Sequence, residues 1–184
     1  METTQYKIKQ TDIPGLLEIN ISLVEDARGW FQEKYQREKL VALGFPKDFL
    51  PVQQNVSFNK EVGVTRGIHA EPWNKYISVV HGKVFAALVD LRKGDGFGKK
   101  VEIEIDNSKA VFVPKGVGNS FQTIEPYTLY SYLVDAHWAP ELASDYQAVN
   151  LADSTLAINW PISLGKAIIS DKDKNNPPLS EITK

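Results

Sequence analysis

Between residues 52 and 134 the chain breaks into short apolar, β-branched runs, each closed by a turn signal. The runs cover 52–58, 75–80, 83–91, 100–105, 110–113, 120–124 and 128–134. Their separators are Asn59-Lys60, His81-Gly82, Lys93-Gly94-Asp95-Gly96, Asp106-Asn107, Pro114-Lys115-Gly116 and Glu125-Pro126. Many short strands with few helices between them predict an all-β sandwich or barrel.

The flanks are less regular. Residues 13–23 read as an early strand and turn around Pro14-Gly15, and Asp26-Ala27-Arg28-Gly29 as a tight turn. Residues 30–43 carry a helical pattern, with Glu38-Lys39-Leu40 favouring helix and Gly44 and Pro46 ending it. From Pro140 onward, loops and short helices are expected to pack over the strands. No repeat, low-complexity tract or long linker interrupts the chain, so residues 1–184 are expected to form one domain. A chain of that length can bury a real core.

Charge narrows the functional classes. A formal net charge of -2 and a pI near 5.9 give no general attraction to nucleic acid or to an anionic membrane surface. An anionic ligand would need local arginines and lysines. There is no cysteine, which excludes disulfides, zinc–thiolate sites and thiol catalysis. The first residues, Met1-Glu2-Thr3-Thr4-Gln5, lack the basic and apolar regions of a signal peptide, and no run reaches membrane-spanning length. The expectation is a cytoplasmic protein.

Two spans place titratable rings in strand-like surroundings: Arg66-Gly67-Ile68-His69 and Tyr130-Ser131-Tyr132. An imidazole takes a proton near neutral pH and a phenol gives one, so together they could move a hydrogen from one face of a carbon to the other. A lone histidine is more often structural than catalytic. His69 stands out among the three histidines because Arg66 and His69 bracket Gly67, a residue that lets backbone approach a ligand closely. His81 is expected on the surface in a hairpin with Gly82, and His137 beside Trp138 reads as a surface or site residue. Tyr130 and Tyr132 share one strand face, and the pattern alone assigns neither to core or site. Lys75 reads either as a solvated edge lysine or as a cation beside a developing oxyanion. Arg28, Arg66 and Lys172 could neutralise phosphates. Trp138 could stack on a flat base or seal the core. A metal site needs clustered ligands, whereas His69 is accompanied by Glu71 and, in a later turn, by Asn119; one firm nitrogen ligand is too few.

Taken in order, a set of motifs resembles the dTDP-4-dehydrorhamnose 3,5-epimerases. The matching stretches are Asp26-Ala27-Arg28-Gly29-Trp30-Phe31, Gln54-Asn55-Val56-Ser57, Gly63-Val64-Thr65-Arg66-Gly67-Ile68-His69 and Val89-Asp90-Leu91-Arg92. They continue with Phe97-Gly98, Val113-Pro114-Lys115-Gly116, residues 132–141, Ile158-Asn159-Trp160-Pro161 and Ser170-Asp171-Lys172-Asp173. The resemblance implies a cupin-type jelly-roll barrel, a homodimer, no metal or other cofactor, and a nucleotide-linked 4-keto-6-deoxyhexose as substrate. By motif, His69 matches the base, Asp173 its dyad carboxylate, Lys75 the lysine beside the enolate oxygen, and Tyr132 the acid on the opposite face. Arg28, Glu33, Gln53, Asn55, Arg66 and Lys172 match positions that bind the nucleotide sugar. Asn119 stands where many members carry histidine and Trp138 where many carry tyrosine. His69-Ala70-Glu71-Pro72-Trp73 departs from the commoner aromatic-glutamine version.

The implied chemistry is coherent. A ketone at C4 acidifies the hydrogens on C3 and C5; His69 would remove one, Lys75 would stabilise the enolate, and Tyr132 would return a proton from the far side. The implied product is dTDP-4-keto-L-rhamnose. A single-carbon epimerase or ketoisomerase would use the same residues. A non-catalytic nucleotide-sugar-binding cupin would need no opposed acid and base.

Overall fold

The structure is a computed structural model and describes residues 3–182. In chain order the strands are β1 (Tyr6–Gln10), β2 (Leu17–Ile21), β3 (Val24–Asp26), β4 (Gly29–Phe31), β5 (Gln53–Asn59), β6 (Val64–Ala70) and β7 (Lys75–His81). They continue with β8 (Val84–Asp90), β9 (Lys100–Ile105), β10 (Lys109–Val113), β11 (Val117–Thr123), β12 (Thr128–Val134), β13 (Gln147–Ala148) and β14 (Ile168–Ile169). The helices α1 (Arg37–Ala42) and α2 (Asp171–Lys174) are short, and 3₁₀ turns occupy Pro140–Asp145 and Leu179–Glu181.

One sheet has the order β1-β2-β10-β7-β12-β5, and the sheet facing it has β13-β6-β11-β8-β9 with β14 alongside β6. From β5 to β12 the chain crosses between sheets at every connection except β8 to β9. That alternation produces β10-β7-β12-β5 over β6-β11-β8-β9, a jelly roll. The all-β, cupin-type architecture expected from the sequence is therefore the one present, as two facing sheets. Among the described residues no helix is long and apolar enough to cross a membrane.

Period-two alternation supplies the inner faces. Ile77 and Val79 of β7, Tyr130 of β12, Ala86 and Leu88 of β8, and Phe121 of β11 meet in the core between the sheets. Strand β8 is buried along its whole length because its outer face is covered too; Phe85 meets Trp160 of the C-terminal segment edge to face, 5.7 Å between ring centres. Burial on both faces explains why residues 84–90 read as an almost unbroken apolar run. Leu40 of α1, with Phe45 and Phe49, covers the outer face of the first sheet over Ile19 and Phe112.

Two local expectations are corrected. Only Arg37–Ala42 of the span 30–43 is helical, because Gly29–Phe31 pairs back onto Val24–Asp26, with the Asp26 carboxylate accepting from the Arg28 N–H at 2.9 Å across the turn. The Leu43–Gly44 stop is where the sequence placed it, with Gly44 at φ +93°. His81-Gly82 makes no hairpin: β7 and β8 lie in different sheets, and the turn crosses between them. His81 is exposed, as expected.

Candidate active site

His69 and Arg66 are three residues apart, a spacing that in an unbroken strand puts side chains on opposite faces. In the pairing of β6 with β11, Asn119 lies opposite His69 and Phe121 opposite Arg66, so Gly67 and Ile68 together face the single Ser120. This bulge restores parity, and Arg66 and His69 line one cavity of about 210 Å³ between the sheets. Gly67 makes the bulge possible. It sits at φ +120°, and a Cβ there would lie 2.5 Å from Ser120 Cβ and 2.7 Å from the Asn119 carbonyl oxygen. The close approach that the sequence assigned to a ligand is thus an approach of β6 to β11.

The C-terminal segment completes this side. Ser170 caps α2 by accepting from the Asp173 N–H at 3.1 Å, and the buried Asp173 carboxylate meets His69 Nε2 at 2.7 Å through Oδ1. Its Oδ2 accepts from the Gly67 N–H at 3.3 Å, while the Asn176 amide donates to the Gly67 carbonyl at 3.3 Å. A carboxylate only accepts, so Nε2–H is the donor and the lone pair of Nδ1 is left to act as a base. The His69 side chain keeps about a third of its surface open, at 35%.

The facing sheet contributes Ser57 of β5, Lys75 of β7, and Tyr130 and Tyr132 of β12. Lys75 is buried, 5% exposed, which rules out the solvated-edge reading. Its Nζ donates to Asn119 Oδ1 at 2.6 Å, pairs with the Glu71 carboxylate, and stands 5.5 Å from the centre of the Tyr132 ring. Burial draws the Lys75 pKa down and Glu71 works against that fall. The Tyr132 phenol is held above its ordinary range by burial and by Glu71, against an opposing effect of Arg66, and so keeps its proton at neutral pH. Tyr130 stacks on Phe121 with ring centres 4.1 Å apart and is fully enclosed; burial raises its pKa far more, with a hydrogen bond from Asn119 in opposition. The two tyrosines that the pattern could not separate thus share one cavity wall.

The cavity gathers His69, Asp173, Lys75, Tyr132, Arg66 and Asn119 of the expected residues. Gln53 and Asn55 lie outside its lining but face the same way along β5 as Ser57, and Gln53 Nε2 donates to Asn55 Oδ1 at 2.9 Å. Gln53 also accepts from the Trp138 backbone N–H at 3.1 Å; Trp138 is 56% exposed and does not seal the core. Lys172 is exposed on α2 beside Asp173. Arg28 and Glu33 sit elsewhere in this chain, bordering a separate depression of about 710 Å³ under the β3–β4 hairpin with Trp30 and Phe31. There Arg28 pairs with Asp26 and Glu33 with Lys39, each at 2.5 Å. Reasoning from sequence overlooked Ser57 and gave Glu71 no part in the site. The register that carries Gln53 and Asn55 also points to Ser57, whereas Glu71 comes to Lys75 around a turn at Pro72-Trp73 that no strand periodicity reports.

The family model for dTDP-4-dehydrorhamnose 3,5-epimerase matches residues 10–181. A protein RmlC homolog of Streptococcus pyogenes is 49% identical over 175 residues, covering 93% of this chain and 88% of its own. The structure of RmlC from Streptococcus suis in complex with dTDP-D-xylose superposes with a TM-score of 0.91 at 45% identity, covering 99% of this chain and 94% of that one. RmlC from Legionella pneumophila in complex with dTDP-4-keto-L-rhamnose gives a TM-score of 0.85 at 28% identity, covering 97% and 95%. With a model match across nearly its whole length and an imidazole and a phenol facing each other across one cavity, the chain belongs to the dTDP-4-dehydrorhamnose 3,5-epimerase family of isomerases.

Proposed function

We propose that this chain, acting as one domain in the cytoplasm, converts dTDP-4-keto-6-deoxy-D-glucose to dTDP-4-keto-L-rhamnose on the route to dTDP-L-rhamnose. One observation carries the reading: His69 comes from one sheet and Tyr132 from the sheet facing it, and both line the same cavity. A flat keto-sugar held between them would present opposite faces to a base and to an acid. His69 Nδ1 takes the hydrogen on C5 or C3. The C–H electron pair becomes the C=C bond and the C4 oxygen becomes an enolate oxygen, which the Lys75 ammonium stabilises. Tyr132 then protonates the carbon from the far side. Solvent restores the phenol and clears the imidazolium.

Arg66 and Lys172 supply positive charge for the diphosphate, and Gln53, Asn55 and Trp138 line the continuation of β5 toward the nucleoside. The donor set suits chemistry without metal: His69 is the one imidazole lining the cavity, its carboxylate partner is engaged, and a buried ammonium stands where a cation would sit. Incubation with the 4-keto substrate in deuterium oxide, read by NMR, is expected to label both C3 and C5. One labelled carbon would instead assign a single-carbon epimerase, and none a binding protein.

A homodimer would reconcile the two separated groups of expected ligand residues. Val56 and Phe58, 60% and 58% exposed, project from the edge strand β5, with Tyr127 stacked on Phe58. Trp30 and Phe31 are exposed on the hairpin that carries Arg28. Exposed large apolar side chains grouped in this way support an interface between two copies. A second copy docked on β5 would bring the partner's hairpin, with its arginine and the neighbouring glutamate, toward this cavity. Sedimentation equilibrium should return twice the 20.6 kDa chain mass; a single-chain mass would remove this part of the reading.

A further inference from the structure

Lys75 is held from two directions. Asn119 reaches it from β11 in the opposite sheet, and Glu71 reaches it from the turn that follows β6. The Lys75 and Glu71 side chains are both largely enclosed, 6% and 14% exposed. An enclosed ion pair is a poor source of net stability, because desolvation of both charges offsets their attraction. Its value here is geometric. A lysine has a flexible stem and three N–H donors. Here Nζ donates to Asn119 and pairs with the Glu71 carboxylate, from two separate elements, at the cavity that Glu71, Lys75 and Tyr132 share.

We propose that Glu71 is a positioning residue for the reaction: its carboxylate keeps the Lys75 ammonium charged and aimed at the point where the enolate oxygen develops. This rests on the reading of Lys75 as the enolate-stabilising cation. The groups facing Lys75 are Glu71, His69 and Arg66 from the β6 side, Asp173 from α2, Tyr130 and Tyr132 from β12, and Tyr146 beyond the 3₁₀ turn, where its phenol senses both Glu71 and Tyr132. Asp173 is engaged by His69 and Gly67, and Arg66 donates to Asn59, so Glu71 is the carboxylate that Lys75 itself contacts. Burial lowers the Lys75 pKa and Glu71 is the opposing influence. Loss of that charge therefore moves ammonium deprotonation to lower pH.

The test is Glu71→Gln, which keeps shape and removes charge, in protein carrying isotopically labelled lysine. NMR titration should show the Lys75 pKa falling, because the charge that opposes its burial is gone. The alkaline limb of kcat should move the same way, with KM for the nucleotide sugar little changed. Glu71→Asp, which keeps the charge at shorter reach, should shift both less, and it serves if the glutamine variant does not fold. An unchanged Lys75 titration in these variants overturns the proposal, even if kcat falls at every pH as it would for a merely structural bridge. A shifted Lys75 titration with an unmoved kcat limb overturns the role of Lys75 in the reaction while leaving its hold by Glu71 intact. Tyr132 also senses Glu71, and direct observation of the lysine resonance separates the two groups.

Discussion

His69→Ala is expected to abolish deuterium uptake at both C3 and C5 of the 4-keto substrate while the protein keeps its fold. The side chain is a third open and lies outside the three apolar clusters, so its loss removes no core packing. It does remove the nitrogen proposed to take the carbon-bound hydrogen. A well-placed general base contributes about 10²–10⁴-fold, and without one neither enolate forms at a useful rate. Tyr132→Phe supplies the contrast. The phenol is replaced by a ring of the same shape, proton abstraction continues, and deuterium enters with retention while inversion fails. Solvent reaches the imidazole well enough to exchange its proton. Undiminished labelling in His69→Ala would take the base away from His69, and full inversion in Tyr132→Phe would take the acid away from Tyr132.

Gly67→Ala is expected to carry the largest loss of stability of any single methyl added to the site. The new Cβ would press on Ser120 Cβ and the Asn119 carbonyl at distances that packed atoms do not tolerate, at a backbone φ that side chains other than glycine rarely adopt. Overpacking and positive φ together put the cost at about 1–3 kcal/mol or more. For a chain of this size that lowers Tm by roughly 2–4 °C per kcal/mol. Activity should fall further than stability. The Gly67 N–H donates to Asp173 and its carbonyl accepts from Asn176, so displacing it loosens the carboxylate that orients His69. Calorimetry and initial rates, measured on one preparation, check both. A wild-type Tm with wild-type rates would show that β6 and β11 can separate at the bulge without cost.

Much of the body was legible because strands have a simple code. Short apolar, β-branched runs marked the strands, and turn residues marked the ends of the runs. The code failed where another force outweighed local preference. Residues 30 and 31 carry a helix-compatible pattern, yet the turn held by Asp26 folds them into a hairpin. His81-Gly82 has hairpin chemistry, yet the strands on either side of it, β7 and β8, belong to different sheets. In the site, motif order brought forward His69, Asp173, Lys75, Tyr132, Arg66 and Asn119, and all six line one cavity. Asp173 lies in a stretch that composition alone reads as solvated charge, and burial follows from the capped turn that points it at His69.

By itself, the order of residues determined an all-β architecture, the absence of thiol chemistry, and a short set of groups able to exchange a carbon-bound proton. Those are properties of periodicity and residue type, which are local. Tertiary structure decided which of these groups meet. Arg66 and His69 share a face because a bulge adds one residue to β6 opposite Ser120, and Lys75 finds Glu71 because a turn folds back on the strand that follows it. Arg28 lies away from that cavity because its hairpin pairs with itself, and Glu33, just beyond that hairpin, borders the same separate depression. Each outcome depends on register or on contact between distant segments, and neither is written in the spacing of neighbouring residues.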